Sequence, residues 1–256
     1  FYTPLMNLIG EMRRRGYLVK TVDELRRYIH VCDSLDDVAT QINALPVYIK
    51  TLKVNFSSVK DELMEIRKTL WNIKRAVSIL GGGKAIERSK KRRNTIEFIS
   101  QYFSSQGISV MVRSAHNIGQ SVGLGIVEAK NHASQGADVG RLVNLKIRGQ
   151  EAYIAPDVAL ELSYSFVQKV GFVKYSSAYI FFPGGFGTMS LLFEVITLIK
   201  THKTLAVPII LAGRRFWQPW HRFVVDTLLA NKLISEDGPR LYTITATDPR
   251  EIIVAI

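Results

Sequence analysis

Three glycines, at 184, 185 and 187, stand inside the hexapeptide Pro183-Gly184-Gly185-Phe186-Gly187-Thr188. It lies between the apolar run Ala178 to Phe182 and a helical pattern over Met189 to Lys200. In that setting the glycines let the backbone come close to a ligand, and Thr188 adds a hydroxyl near the start of the helix. The unpaired amides and the helix dipole favour a negatively charged group there, so the chemistry predicted is the holding of a phosphate or a sugar phosphate. Glycines also serve tight strand-to-helix connections for steric reasons alone, and both uses stay open.

Two further glycine clusters read the same way. Gly81-Gly82-Gly83 follows the apolar run Ala76 to Leu80 and is closed by Lys84, which reads equally as a phosphate partner and as an exposed lysine. Ser121 to Gly125, with Gly123 and Gly125, is expected to form the third turn. In an open parallel sheet such turns sit beyond the carboxyl ends of the strands, where ligands bind. The run Arg88-Ser89-Lys90-Lys91-Arg92-Arg93 puts five basic residues in six just before a helix. Contact with RNA, an acidic protein or a ligand phosphate competes there with plain solvated surface. The histidines at 30, 116, 132, 202 and 221 lack metal-ligand spacing, and no metal or cofactor is expected. Trp217-Gln218-Pro219-Trp220 reads as a packing element.

The elements that must position these residues follow from periodicity. Thr21 to Glu24 and Ser34 to Asp37 have capping-box spacing, and Ser58 with Asp61 opens a helix on which Leu63, Ile66, Leu70 and Ile73 recur. Residues 1–75 therefore read as a helical N-terminal region, and 76–256 as an α/β domain. Strands are predicted over Ala76 to Leu80, Ile108 to Val112, Leu142 to Ile147, Ala178 to Phe182 and Val207 to Leu211. Helices are predicted over Thr95 to Phe103, Gly125 to Ala133, Leu162 to Tyr175, Met189 to Lys200 and Phe223 to Asn231. Alternating strands and helices, with continuous apolar runs in the strands, predict a Rossmann-like, doubly wound parallel sheet covered by helices on both faces.

Composition sets the outer bounds. The 256 residues are 47% hydrophobic, enough for a substantial core, and 34 Lys and Arg against 22 Asp and Glu leave a net charge of +12. That excess suits anionic partners. One cysteine, Cys32, excludes an internal disulfide, and no apolar run approaches the ~18 residues of a membrane helix. The expected setting is intracellular, in the cytoplasm or an organellar matrix such as the mitochondrial one, without membrane contact. Because the chain opens on Phe1, a removed leader is left open.

The stretch Phe166 to Thr188, followed by Phe193-Glu194-Val195-Ile196-Thr197, resembles the LOG family, long misnamed lysine decarboxylases. That family includes cytokinin-activating phosphoribohydrolases and bacterial nucleoside monophosphate nucleosidases. The likeness extends more weakly from about Ala76 to the C-terminus, through Gly125-Ile126-Val127-Glu128-Ala129 and Val143-Asn144-Leu145-Lys146-Ile147, and does not cover residues 1–75. The resemblance implies a Rossmann-like fold, usually homodimeric, that splits a nucleoside 5′-monophosphate into free base and ribose 5-phosphate. A carboxylate beside the sugar is the expected device for the oxocarbenium-like transition state.

The family places that Glu three residues after the motif threonine, where this chain has Leu191, preceded by Ser190. It also carries an Arg directly before a Lys on the preceding helix, where this chain reads Gln168-Lys169. Lys169 is carried over as a ligand-binding residue. Glu194 falls on a second, structural Glu of the family; as a displaced catalytic carboxylate, with Glu128 as the other candidate, it competes with an ordinary ion-paired helix residue. Three readings follow: a protein that binds a nucleoside monophosphate or sugar phosphate with little or no catalysis, a structural subunit of a larger assembly such as a ribonucleoprotein, and an active N-glycosidase. The first is preferred.

Overall fold

The computed structural model describes residues 3–14, 56–113, 118–149 and 154–256. Seven strands form one sheet in the order β4-β3-β2-β1-β5-β6-β7, with every neighbouring pair parallel. The strands are β1 (Ala76–Leu80), β2 (Ser109–Val112), β3 (Leu142–Ile147), β4 (Val158–Leu162), β5 (Ala178–Phe181), β6 (Ile209–Ala212) and β7 (Thr243–Thr245). The order runs outward to β4 on one side of β1 and, from β5, outward to β7 on the other. The reversal lies between β1 and β5, which pair from Val77↔Ala178 to Leu80↔Phe181. Two loops that leave a sheet on opposite sides open a crevice at that point, and both glycine-rich turns after β1 and β5 end there.

Strand side chains alternate between two cores. On one face Leu80, Met111, Leu145, Tyr179, Phe181 and Leu211 are buried. They lie under α1 (Thr3–Arg14), α2 (Phe56–Leu70), α6 (Ser165–Tyr175), α7 (Phe186–Lys200) and α8 (Arg214–Arg222). On the other, Val77, Ile79, Val110, Val112, Ile180 and Ile210 meet α4 (Lys90–Ser105), α5 (Ile118–Asn131) and α9 (Pro249–Val254), with the short α3 (Gly83–Glu87) beside them. Four of the five inner strands, β1, β2, β5 and β6, are buried at every position, which is why they read as largely apolar runs.

The two described helices of the N-terminal region share the first of these cores. Ile66 and Leu70 of α2 are buried in it with Ile9 and Met12 of α1. Glu62 fixes α2 further, accepting a 2.9 Å hydrogen bond from the Ser163 amide at the end of β4. Helix α2 starts two residues ahead of Ser58, which lies inside its first turn, and Leu63 is exposed. The capping boxes at Thr21 and Ser34 fall outside the described residues. None of the described helices is long and apolar enough to cross a membrane.

Several boundaries differ from expectation for identifiable reasons. The glycines of Ser121 to Gly125 are interior to α5, so the third glycine-rich turn is absent at that place. A Cβ on Gly125 would collide with the Glu97 carbonyl oxygen, and one on Gly123 would come within 2.9 Å of Ile154. Gly125 lets α4 and α5 pack almost backbone to backbone, and Gly123 makes room for the Ile154 side chain. The segment Val158 to Leu162 is an edge strand whose exposed Glu161 and buried Leu160 and Leu162 alternate, and the expected helix starts only at Ser165. Strand β7 has three residues, too few for a periodic signal. Trp217 and Trp220 lie on α8, which contains Pro219 and continues into a π-helix over Phe223–Leu229; both indoles are buried.

The α4–α5 contact yields a measurable outcome. Gly125→Ala adds one methyl against a backbone oxygen that cannot yield without separating two helices, and is expected to cost roughly 1–3 kcal/mol of stability. Urea unfolding followed by circular dichroism should show a lowered midpoint with an unchanged slope.

Candidate functional site

At the switch point the two glycine-rich turns are bound to each other. The Gly82 amide donates to the Pro183 carbonyl at 2.9 Å, and the Phe182 amide donates to the Leu80 carbonyl at 2.7 Å. The backbones touch: a Cβ on Gly82 would stand 3.0 Å from Gly184 Cα, and one on Gly184 would stand 2.8 Å from the Gly82 nitrogen and collide with the Thr188 hydroxyl. Gly184 is therefore demanded by packing, and Thr188 folds back over it with 8% of its surface exposed.

Helix α7 starts directly after, with Gly185 as its N-cap residue and no side-chain cap. Thr188 and Met189 donate their amides to the Gly185 carbonyl. The Phe186 and Gly187 amides, in the first turn, have no intrahelical acceptor. Both residues are exposed.

A cavity of about 80 Å³ lies in front of this turn, lined by Ile79, Leu80, Gly81, Gly83, Arg113, Ile118, Gly187, Thr188 and Leu191. Pockets for nucleotide-sized ligands run to roughly 300 Å³ or more, and a water takes about 30 Å³. The space matches one phosphoryl-sized group and is too small for a whole nucleotide. What narrows it is a guanidinium.

Arg113 leaves the carboxyl end of β2 and lies across Gly187, so close that a Cβ there would be 2.5 Å from Nη1. Its Nε donates to Gln168 Oε1 at 2.9 Å. Gln168, fully buried on α6, donates in turn to the Leu145 carbonyl at 2.6 Å and the Arg113 carbonyl at 3.3 Å. No carboxylate of the described residues lies within ion-pair distance of Arg113. Burial pulls its guanidinium below the ordinary arginine value. A half-buried cation fixed by an amide and facing a helix N-terminus is suited to an anion.

The sequence candidates divide around this cavity. Gly81, Gly83, Gly187 and Thr188 line it. Gly82, Pro183, Gly184 and Gly185 form the locked turns beside it, while Phe186 is exposed and is not part of the lining. Lys84 is exposed on the five-residue α3 and is not part of the lining. Gly125 is spent on packing α5 against α4, and Gly123 on seating the Ile154 side chain.

Lys169 and Glu194 are brought together, but with each other: Nζ lies 2.7 Å from Glu194 Oε2 and donates to Ser190 Oγ at 2.9 Å. Position 191 presents a leucine that is 2% exposed, closing the cavity with methyl groups. Glu128 is exposed on α5 beside His132. Within the basic run, whose last four residues form the first turn of α4, Arg92 donates to the Ala85 carbonyl at 2.8 Å and Arg93 to the Ile86 and Glu87 carbonyls, bracing the end of α3.

Sequence reasoning missed Arg113 and Gln168. Arg113 did carry a signal, standing as the first residue past a buried apolar strand, where parallel sheets present ligand-binding groups. Gln168 carried none, because its bonds to Arg113 and Leu145 link residues distant in the chain.

Residues 110–256, more than half of the chain, match the family described as "Possible lysine decarboxylase". Among solved structures the chain is similar to the molybdenum cofactor binding protein of the phototrophic bacterium Rippkaea orientalis, with 15% identity, a TM-score of 0.46, and coverage of 71% of this chain and 94% of that one. It is likewise similar to the molybdenum cofactor carrier protein of Chlamydomonas reinhardtii, with 15% identity, a TM-score of 0.47, and coverage of 71% and 96%. No curated protein matches it in sequence.

The buried amide that holds the guanidinium should matter more than the half-exposed ion pair beside it. Gln168→Leu strands Arg113 Nε and the Leu145 carbonyl, at an expected cost of roughly 2 kcal/mol, whereas Lys169→Met is expected to cost under about 1 kcal/mol. Thermal denaturation of the two variants side by side checks the ranking.

Proposed function

Because the chain belongs to the family described as possible lysine decarboxylases, the LOG-like Rossmann proteins, we propose that it binds the phosphoryl end of a nucleotide or sugar phosphate at its switch point without hydrolysing it. The observation that carries this reading is Leu191. N-glycosidic cleavage builds positive charge on the sugar and needs a carboxylate against it, and the position expected to supply one is a buried leucine in the cavity wall.

The nearest carboxylate in sequence, Glu194, is paired with Lys169 and is not among the lining residues. Losing a charged transition-state partner removes roughly two to three orders of magnitude in rate. Binding has separate support: Arg113 and the α7 N-terminus flank a space of phosphoryl size. The base and sugar would then lie outside, across exposed Phe186.

A second reading, a structural subunit, is favoured by one observation. Gly82 and Gly184 are required by the contact between the turns, so their presence has an architectural reason independent of any ligand.

Calorimetry with ribose 5-phosphate and with nucleoside monophosphates tests the proposal, together with mass spectrometry for free base. The expected result is binding without turnover, weakened roughly tenfold or more by Arg113→Ala through loss of a charge-assisted contact. Enzyme-dependent base release that disappears in Glu194→Ala would overturn the non-catalytic reading. Absence of binding to every phosphate tested would leave the structural one.

A further inference from the structure

Among the described residues a concentration of positive charge lies beyond β6 and β7, away from the switch-point cavity. An open cleft of about 550 Å³ is bordered by Lys91, Arg92, Arg214 and Arg215, with Gly213 and Thr247 also in its lining. An adjoining depression of about 540 Å³ shares Arg214 and Arg215 and extends to Arg222. No residue of either lining is acidic, and neither shares a residue with the cavity in front of α7.

Two helices begin at this trough. Helix α4 is capped by Ser89, whose hydroxyl accepts from the Arg92 amide, and its first turn reads Lys90-Lys91-Arg92-Arg93. Helix α8 follows Gly213 and opens on Arg214-Arg215. Neither first turn holds an acidic residue.

A helix N-terminus carries partial positive charge and favours Asp or Glu in its first turn. Cations stacked on two converging N-termini run against that preference twice, and local rules broken together in this way mark a functional surface. Arg214 is partly compensated by Glu251 at 2.6 Å, and Arg92 by the Ala85 carbonyl at 2.8 Å. Both fix the direction of a guanidinium; the neutral carbonyl leaves the charge of Arg92 at the trough, while Glu251 offsets that of Arg214.

We infer that this trough is a docking surface for the phosphodiester backbone of a structured RNA. It goes beyond the switch-point reading and does not depend on it. The cations are spread along two adjoining depressions instead of converging on one point, which suits a repeating anion better than a single phosphate. They are mostly arginine, whose planar fork matches phosphate oxygens in pairs. The aromatic residues of α8 at or near the trough, Phe216, Trp217 and Trp220, are buried, so α8 offers no platform for stacking unpaired bases. Shape and backbone charge are left as what the surface reads, as proteins do on paired RNA.

Fluorescence anisotropy with a labelled 20-base-pair RNA duplex tests the inference on the full chain. Affinity is expected to fall roughly a hundredfold between 50 and 200 mM KCl, as about four phosphate contacts require. The triple variant Lys91→Gln, Arg215→Gln, Arg222→Gln should weaken binding at least tenfold at low salt and reduce the log-log salt slope by roughly two or more. A matched variant on exposed residues elsewhere, Lys68→Gln, Lys203→Gln, Arg240→Gln, removes the same charge and should change affinity less than about threefold.

Equal losses in both triples would overturn the site, because net charge alone would then explain binding. Tighter binding of a poly-glutamate peptide, or AMP binding that competes the duplex away at equal concentration, would overturn the ligand class. Circular dichroism confirms the fold of each variant; if the triple does not fold, Lys91→Gln and Arg222→Gln singly should each lower the salt slope by about one, and an unchanged slope in both overturns the inference.

Discussion

The contact on which the molecule turns is the backbone-to-backbone meeting of the β1 and β5 turns, closed by the hydrogen bond from the Gly82 amide to the Pro183 carbonyl. It exists because strand order reverses between these two strands and because neither Gly82 nor Gly184 brings a Cβ into the gap. The start of α7 is thereby held with its open amides facing the crevice. Once that geometry is set, the size of the space in front of it depends on what the neighbouring strand sends across, and β2 sends Arg113.

The guanidinium and the leucine of the cavity belong to one arrangement. Gln168 stands where the family resemblance leads one to expect an arginine, and it is used to hold the side chain of Arg113 in place. A guanidinium is therefore present in front of Gly187, delivered from β2 rather than from α6. The carboxylate has no such replacement, since Leu191 closes the wall and Glu194 is engaged by Lys169. Positive charge with no carboxylate among the described lining residues suits an anion better than a cationic sugar.

The basic character of the chain, +12 overall, is distributed according to structural duty. Arg92 and Arg93 brace the carbonyl end of α3, while Lys91, Arg215 and Arg222 contribute to an open trough that has no acidic lining. A run of five basic residues in six could be recognised in the primary structure. That it is joined by three arginines more than 120 positions further along, on α8, required the sheet to bring β6 and β7 beside the start of α4.

Local pattern alone determined the layered α/β architecture, because strands buried on both faces must be largely apolar, as Ala76 to Leu80, buried Ser78 apart, and Ala178 to Phe181 are. The same holds for the glycine-rich turn after β5 and for the absence of a glutamate at 191, which are matters of residue identity. Edge strands escaped, since Val158 to Leu162 alternates and Thr243 to Thr245 is short. Gly123 and Gly125 looked like a ligand turn because a glycine's identity does not say whether a ligand or a second helix occupies the space beside it. Which neighbour fills that space, which cation reaches the crevice, and which carboxylate is already paired are relations between residues far apart in the chain. They are decided by packing: a side chain's partners follow from where the sheet and its covering helices place it, and local periodicity carries no record of that.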